Sequence, residues 1–367
     1  MRYTSLAAVD RPFDDVYISP HLDDVALSCG GRILRERALG RSVLVVTVFT
    51  ADAGPCREIP PHVRARVGDM AERRREDERA MARLGADFLW LDHPEALFRD
   101  RAYHTLVGVL SRLVASDRDW IVRLASEFEH LVERARPRRL YCPLGIGHHA
   151  DHRVVFEAAL LLAERWSGGP TVTDRPPHPE VCFYEDAPYA LIPYLTEHRL
   201  DMVRARSTRE EAAPSHSIWA RAREAYATMM TLSSVRAEVG HAMWRAATRG
   251  FLILQFARGK WASRRARPRL WLVPELCEIG DVLPAKLEAL AEYRSQITPV
   301  LGDLQSYVRL RLAYSRRLVS RPPARSHSPP HQEPTPCALE RVWRIARIES
   351  ETLSRERRTN GSLRAFA

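Results

Sequence analysis

Cysteine is scarce in this chain and poorly spaced. Six residues (Cys29, Cys56, Cys142, Cys182, Cys277 and Cys337) are scattered over 367 positions, and no two stand in a Cys-x-x-Cys pair. That excludes a disulfide scaffold and a zinc finger. The glycines form no phosphate-cradling loop, which excludes a P-loop nucleotide enzyme. No run of 18 apolar residues exists to span a membrane, and Met1-Arg2-Tyr3-Thr4-Ser5 lacks the apolar core of a secretion signal, so a cytoplasmic protein is expected. There are no internal repeats. The formal net charge of +10 attracts anions, but no DNA- or RNA-binding motif accompanies it and nucleic acid is not an expected partner. Much of the positive excess falls late, in Arg258 to Arg269 and Arg316 to Arg364.

With 45% hydrophobic and 28% charged residues, the composition is that of a globular protein able to bury a large core. Val16-Tyr17-Ile18 favours an extended chain, a polar loop follows, and Val25 to Arg37 reads as a helix. Val43 to Thr50 is continuously apolar, as a parallel strand covered on both faces should be. Val63 to Leu84 predicts a long charged helix closed by Gly85, and Phe88-Leu89-Trp90-Leu91 predicts a strand. Helices are expected over Thr105 to Ser116 and Asp119 to Arg134, strands over Leu140 to Leu144 and Val181 to Tyr184, and a helix over Pro284 to Gln296. This alternation predicts an α/β, Rossmann-like fold: a mostly parallel, doubly wound sheet with helices on both faces. A Pro/Ser/Arg-rich linker from Ser320 to Pro336 and a short helix from Ala338 to Arg347 are expected near the end.

Two polar loops follow strands of this sheet, where open α/β sheets bind ligands. The first is Ser19-Pro20-His21-Leu22-Asp23-Asp24; the second is Gly145-Ile146-Gly147-His148-His149-Ala150-Asp151-His152. Taken singly, each is more often a turn, a helix cap or a solvated loop. Together at two strand ends they can grip one cation. A catalytic zinc site needs three His, Asp or Glu ligands and one open position, and His21, Asp24 and His152 supply that set. The ion, Zn²⁺ or another divalent metal such as Fe²⁺, polarises a carbonyl and activates water. Asp23 is placed to take a proton from that water, His149 to stabilise the oxyanion or protonate the leaving amine, and Asp151 to orient His149. His148 is assigned a structural or rim position. The reaction class is metal-assisted amide hydrolysis.

Pro20-His21-Leu22-Asp23-Asp24, Gly30-Gly31 and His149-Ala150-Asp151-His152 resemble the PIG-L/LmbE-like zinc-dependent N-acetylglucosaminyl deacetylases. So do Arg73-Arg74-Arg75-Glu76-Asp77, Phe98-Arg99-Asp100, Phe183-Tyr184-Glu185-Asp186 with Pro188-Tyr189, and Lys286 with Tyr293-Arg294-Ser295-Gln296. The resemblance implies metal ligands His21, Asp24 and His152, base Asp23, catalytic His149 supported by Asp151, and substrate contacts by Arg73 and Asp100. The implied substrate is an N-acetylated amino-sugar conjugate. A non-catalytic sugar- or metabolite-binding protein on the same fold, or an amidase for another amide conjugate, are the alternatives.

The chain departs from that pattern at Leu22 and Val25, where proline and glutamate are commoner, and at Gly147, where some members carry a tyrosine. The expected organisation is a deacetylase-like core over 1–200, a helical, basic insertion over 201–275, a returning core segment over 276–318, and a Pro/Arg-rich linker and flexible tail over 319–367. The insertion carries Trp219, Met229, Met230, Trp244, Trp261 and Phe251 to Phe256 ahead of Arg258, Lys260, Arg264, Arg265 and Arg267. Such a stripe is more often core than surface; an anionic membrane or lipidated substrate is the weaker reading. Oligomeric state is not legible.

Overall fold

Alternating side chains on the central strands divide the interior of the computed structural model into two cores. Tyr17, Val43, Val45, Tyr141, Cys182 and Tyr184 face one core, whereas Val16, Ile18, Leu44, Val46, Leu140, Cys142 and Phe183 face the other. Both faces of the sheet are therefore covered, which is why these strands read as unbroken apolar runs. The structure describes residues 1–52, 60, 68–111, 113–168, 178–208, 217–232, 242–265, 267–319 and 337–349.

Nine strands are described: β1 (Arg2–Tyr3), β2 (Asp15–Ser19), β3 (Val43–Thr47), β4 (Asp87–Trp90), β5 (Arg139–Pro143), β6 (Glu180–Tyr184), β7 (Ala205–Ser207), β8 (Leu270–Glu278) and β9 (Leu339–Ile348). They form one sheet in the order β1-β4-β3-β2-β5-β6-β9-β8-β7. Pairing is parallel from β1 through β6 and antiparallel on either side of β9. β2 lies between β3 and β5, so the chain leaves it in one direction and later returns on the other side. A crevice opens at such a switch point, outside the carboxyl ends of the strands.

In chain order the helices are α1 (Asp24–Ala38), α2 (Met70–Leu84), α3 (Ala96–Arg99), α4 (Leu106–Leu110), α5 (Asp117–Ala135), α6 (Ala150–Gly168), α7 (Leu195–Met202), α8 (Ile218–Met229), α9 (Ala242–Arg265), α10 (Leu283–Leu290), α11 (Arg294–Leu301) and α12 (Leu304–Val319). On one face α1, α2, α10 and α12 cover the sheet through Ile33, Leu84, Leu290 and Tyr307. On the other, α5 and α6 do so through Phe128, Leu131, Phe156 and Leu162. α2 begins where Asp69 accepts hydrogen bonds from the backbone N–H groups of Ala71 and Glu72, and ends at Gly85 in the left-handed conformation (φ 67°). The expected start of that helix, residues 63–67, lies outside the described residues, as does the linker over 320–336.

Several expectations are corrected. The stretch expected as a helix from Ala338 to Arg347, within the 319–367 tail, is β9, an interior strand of the sheet. Val342 and Trp343 are fully buried there, and Glu340 accepts hydrogen bonds from the backbone N–H groups of Gly31 (3.0 Å) and Arg32 (2.7 Å) on α1. Lys286 of α10 pairs with the same carboxylate at 2.6 Å, both side chains fully buried. The insertion over 201–275 is not wholly helical, because β7 and most of β8 lie within it and extend the sheet. Its apolar residues divide: Leu252 and Phe256 are buried, whereas Trp219, Phe251, Leu254 and Trp261 are exposed. The helix expected over Thr105 to Ser116 shrinks to α4, and that over Pro284 to Gln296 divides into α10 and α11 around Ala291 to Tyr293. No helix among the described residues is long and apolar enough to cross a membrane.

Candidate active site

The loop after β2 is shaped by its own polar groups. Ser19 Oγ donates to the carbonyl of His21 and accepts from Val25 N–H, so the chain turns directly into α1. Asp24 opens that helix, and its Oδ2 accepts from the backbone N–H of His21 at 2.8 Å. Asp23 occupies the cap position, yet its side chain makes no capping hydrogen bond. The carboxylate most easily explained as a helix cap instead lies within the field of Asp24, Arg73 and His21.

His21 and His152, 131 residues apart in sequence, converge on Asp24. Oδ2 of Asp24 lies 3.2 Å from Nδ1 of His21 and 3.2 Å from Nε2 of His152. The outer nitrogen of each ring is held by a second carboxylate: Nε2 of His21 by Asp151 Oδ2 at 3.0 Å, and Nδ1 of His152 by Asp186 Oδ1 at 2.6 Å. Such outer contacts fix the tautomer and ring orientation of metal-ligating histidines. Despite burial, the flanking carboxylates raise both imidazoles, so each inner nitrogen carries a proton toward Asp24 Oδ2 that a bound cation would displace. All three ligand atoms lie within 4.8 Å of one another, and the residues are buried. The donor set fits a divalent cation bound through imidazole and carboxylate.

A second group, His21, His149 and Asp151, also falls within ligand distance. Its carboxylate is already engaged: Asp151 accepts from the Arg99 guanidinium and from Ala96 N–H at 3.0 Å, besides His21. Arg99 holds the Asp151 carboxyl well below the usual carboxylate range despite burial, and its charge opposes a cation there. Asp151 therefore serves His21 directly. Its carboxylate approaches His149 only to 3.9 Å, so the expected orienting contact is corrected: Nδ1 of His149 accepts the backbone N–H of Asp151 at 3.3 Å. This assigns the ring proton of His149 to Nε2. Burial, with His21 and His152 close by, pushes its pKa down to about 3, so the ring is neutral and offers a donor N–H rather than a charge.

Asp23 is raised to about 6 by burial and the Asp24 charge, with Arg73 and His21 pulling the other way. Arg73 is buried, not solvated; its Nη1 pairs with Glu95 Oε1 at 2.7 Å, and its charge also acts on Asp23 and Asp24. Asp100 accepts from Ala102 N–H at 2.8 Å and caps a short 3₁₀ turn, which is the bland role for an aspartate in a loop.

Four residues shape this site without having been assigned a role from sequence: Asp186, Arg99, Glu95 and Tyr189. Asp186 also accepts from Gly145 N–H (2.8 Å) and Ile146 N–H (2.9 Å), tying the loop after β6 to the loop after β5. The Tyr189 ring packs edge-on to His152 with centroids 6.5 Å apart. It fills the space beside Gly147, where a Cβ would fall 2.4 Å from Tyr189 Cγ. Asp186, Arg99 and Tyr189 all sit in segments that carry the family resemblance; their partners, 34 to 52 residues away, were the missing information.

The chain resembles known proteins in sequence and in fold. Residues 16–163 match the family model described as PIG-L, GlcNAc-PI de-N-acetylase. A 2'-N-acetylparomamine deacetylase of Streptomyces fradiae is 35% identical over 180 residues, 47% of this chain and 56% of that protein. A 2'-N-acetylparomamine deacetylase of Niallia circulans is 26% identical over 204 residues, 47% of this chain and 66% of that protein. The chain thus spans less than two thirds of either curated relative. Among solved structures, the A40926 pseudoaglycone deacetylase Dbv21 superposes with a TM-score of 0.55 at 18% identity, over 92% of this chain and 99% of that one. A deacetylase of teicoplanin biosynthesis gives 0.57 at 18% identity, over 93% and 100%. At that identity the likeness establishes the fold. It extends well beyond residue 163, so the late strands belong to the same architecture.

Proposed function

We propose that this chain is a metal-dependent N-deacetylase that hydrolyses the N-acetyl group of an amino-sugar conjugate, with Zn²⁺ as the resident ion. One observation carries the reading: two histidines, each with its outer nitrogen held by a carboxylate, turn their inner nitrogens to a shared third carboxylate beside an uncapped aspartate. His21, Asp24 and His152 would hold the ion, which when bound supplies Lewis-acid activation of water and of the acyl oxygen.

The remaining steps belong to side chains. Asp23, with its pKa near 6, is ionised at neutral pH yet basic enough to accept a proton from water at its free carboxylate. A general base of this kind contributes roughly 10²–10⁴-fold. His149 offers Nε2–H to the developing oxyanion or to the leaving nitrogen, a role that needs no charge on the ring. The buried Arg73–Glu95 pair flanks the two aspartates and keeps Asp23 from rising further. Arg73 is retained as a residue that would meet a sugar hydroxyl; Asp100, already capping its turn, would do so only through its other carboxylate oxygen. The two relatives named for acetylparomamine point to an amino-sugar conjugate of that type as the substrate.

Acetate release from a panel of N-acetylated amino sugars, measured with and without chelator, tests the proposal. Release that stops on chelation and resumes with metal supports it. A protein that loads metal but releases no acetate from any member of the panel is a binding protein on this fold instead.

A further inference from the structure

Behind the second loop lies a cluster of hydrogen-bond donors that the site does not use. α7 carries His198 and Arg199, each 4% exposed. Arg199 Nε donates to the carbonyl of Leu144 at 2.8 Å, and the guanidinium lies over the Phe156 ring at 4.6 Å. Its Nη2 is buried without a hydrogen-bond partner, and no carboxylate among the described residues lies within ion-pair distance of it. A buried guanidinium without a counter-charge is costly. Both ring nitrogens of His198 are likewise buried and unpartnered, as is Nε2 of His148. The two imidazoles face each other with centroids 5.0 Å apart, and His148 adopts a left-handed backbone (φ 66°).

The backbone closes tightly around these donors. A Cβ at Gly145 would fall 2.9 Å from Arg199 Nη2, and one at Gly259 would fall 2.6 Å from His198 Nδ1. The walls are the rings of Phe156 and Phe256, the latter edge-on to His198 with centroids 5.6 Å apart. Every unpartnered group is able to donate. Burial, then the Arg199 charge, push His198 down to about 4, so its ring is neutral; burial likewise lowers Arg199 to about 10, with Glu157 opposing and Arg153 adding to the fall. Glu157 and Asp186 are the carboxylates whose charges raise Arg199, and neither forms an ion pair with it. A divalent cation has no ligand charge here; a small anion has three donors.

We propose that Arg199, His198 and His148 form a binding site for a small oxyanion, a carboxylate or a phosphate, behind the loop that carries His149. The anion takes Nη2–H of Arg199 and one N–H from each imidazole, and supplies the counter-charge that Arg199 lacks. Because His148 precedes His149, an anion seated there braces the loop that carries His149. The site is independent of the deacetylase reading, since none of its three residues is a ligand or a proton-transfer group in it.

The test is thermal unfolding of the full chain treated with chelator, so that no anion effect arises at a bound metal. Sodium acetate and inorganic phosphate are titrated against chloride at constant pH and ionic strength. The wild type is expected to gain roughly 2 °C or more, saturably, with one or both anions; which anion acts identifies the ligand chemistry. Arg199→Gln is expected to lose the response. Because Arg199 also braces Leu144, His198→Phe is measured in parallel, keeping a ring against Phe256 and His148 while removing both nitrogens. An equal response in His198→Phe and wild type, or a wild-type response matched by chloride, overturns the proposal.

Discussion

Asp186 Oδ1 and His152 Nδ1 lie 2.6 Å apart, joining the loop after β6 to the histidine that closes the candidate metal site. The same carboxylate accepts two backbone N–H groups, from Gly145 and Ile146. One side chain therefore fixes both a ligand's tautomer and the path of the loop that carries it. Asp186→Asn keeps the shape but presents an amide where a charged acceptor is required. Zinc affinity measured by competition with a chelating dye is expected to fall roughly 10–100-fold. An unchanged affinity would mean that His152 is oriented by something else.

Asp23 makes no capping bond, so removing its charge should spare the helix. Asp23→Asn is expected to lower kcat about 10²–10⁴-fold while leaving metal content and melting temperature close to wild type. Activity within a few-fold of wild type would assign the base elsewhere.

Gly147 meets two demands at once: φ is +85°, and a Cβ would collide with the Tyr189 ring. Gly147→Ala should cost more than about 1 kcal/mol in denaturant unfolding. Adding Tyr189→Ala should recover only part of the loss, because the backbone strain persists. Full recovery would show that the collision alone mattered.

Asp15 on β2 and Glu36 on α1 both face Arg41, at 3.7 and 2.9 Å, and burial followed by interaction with Glu36 raises the Asp15 carboxyl to about 8. A folded-state pKa above the unfolded value of 3.8 contributes stability at low pH that is lost as pH rises through the folded value. Glu36, which is lowered, contributes in the opposite sense below its own unfolded value of 4.5. Stability from this pair should therefore decline between about pH 4 and 8. Asp15→Asn carries a permanent donor and should flatten that decline, gaining on wild type at pH 8 but not at pH 5. Parallel stability curves for the two proteins would contradict a raised Asp15 carboxyl.

How much of this was legible depended on where each residue's partner lies. Val16 to Ile18 and Val43 to Val48 announced parallel strands because both their faces are buried, leaving only Thr47, itself β-branched and buried, as a polar residue in the run. The two His/Asp loops were legible because each is local. β9 was not: Arg341, Arg344 and Arg347 interrupt its apolar pattern, and two of them are matched by glutamates far away in sequence, Glu185 just after β6 and Glu275 on β8. A strand that buries arginines against glutamates reads as a polar helix until those glutamates are in view. Asp151 was placed beside the wrong histidine for the same reason. Sequence neighbours suggested His149, whereas the fold brings His21 across 130 residues to its carboxylate.

The central claim is that residues from two strand ends hold one ion, and metal content per chain tests it most directly. Purified wild-type protein is predicted to carry about one divalent ion per chain, with His21→Ala and His152→Ala each folded and nearly metal-free. A His152→Ala protein that keeps its full complement of metal would contradict the account, because the ion would then sit somewhere other than between the two loops.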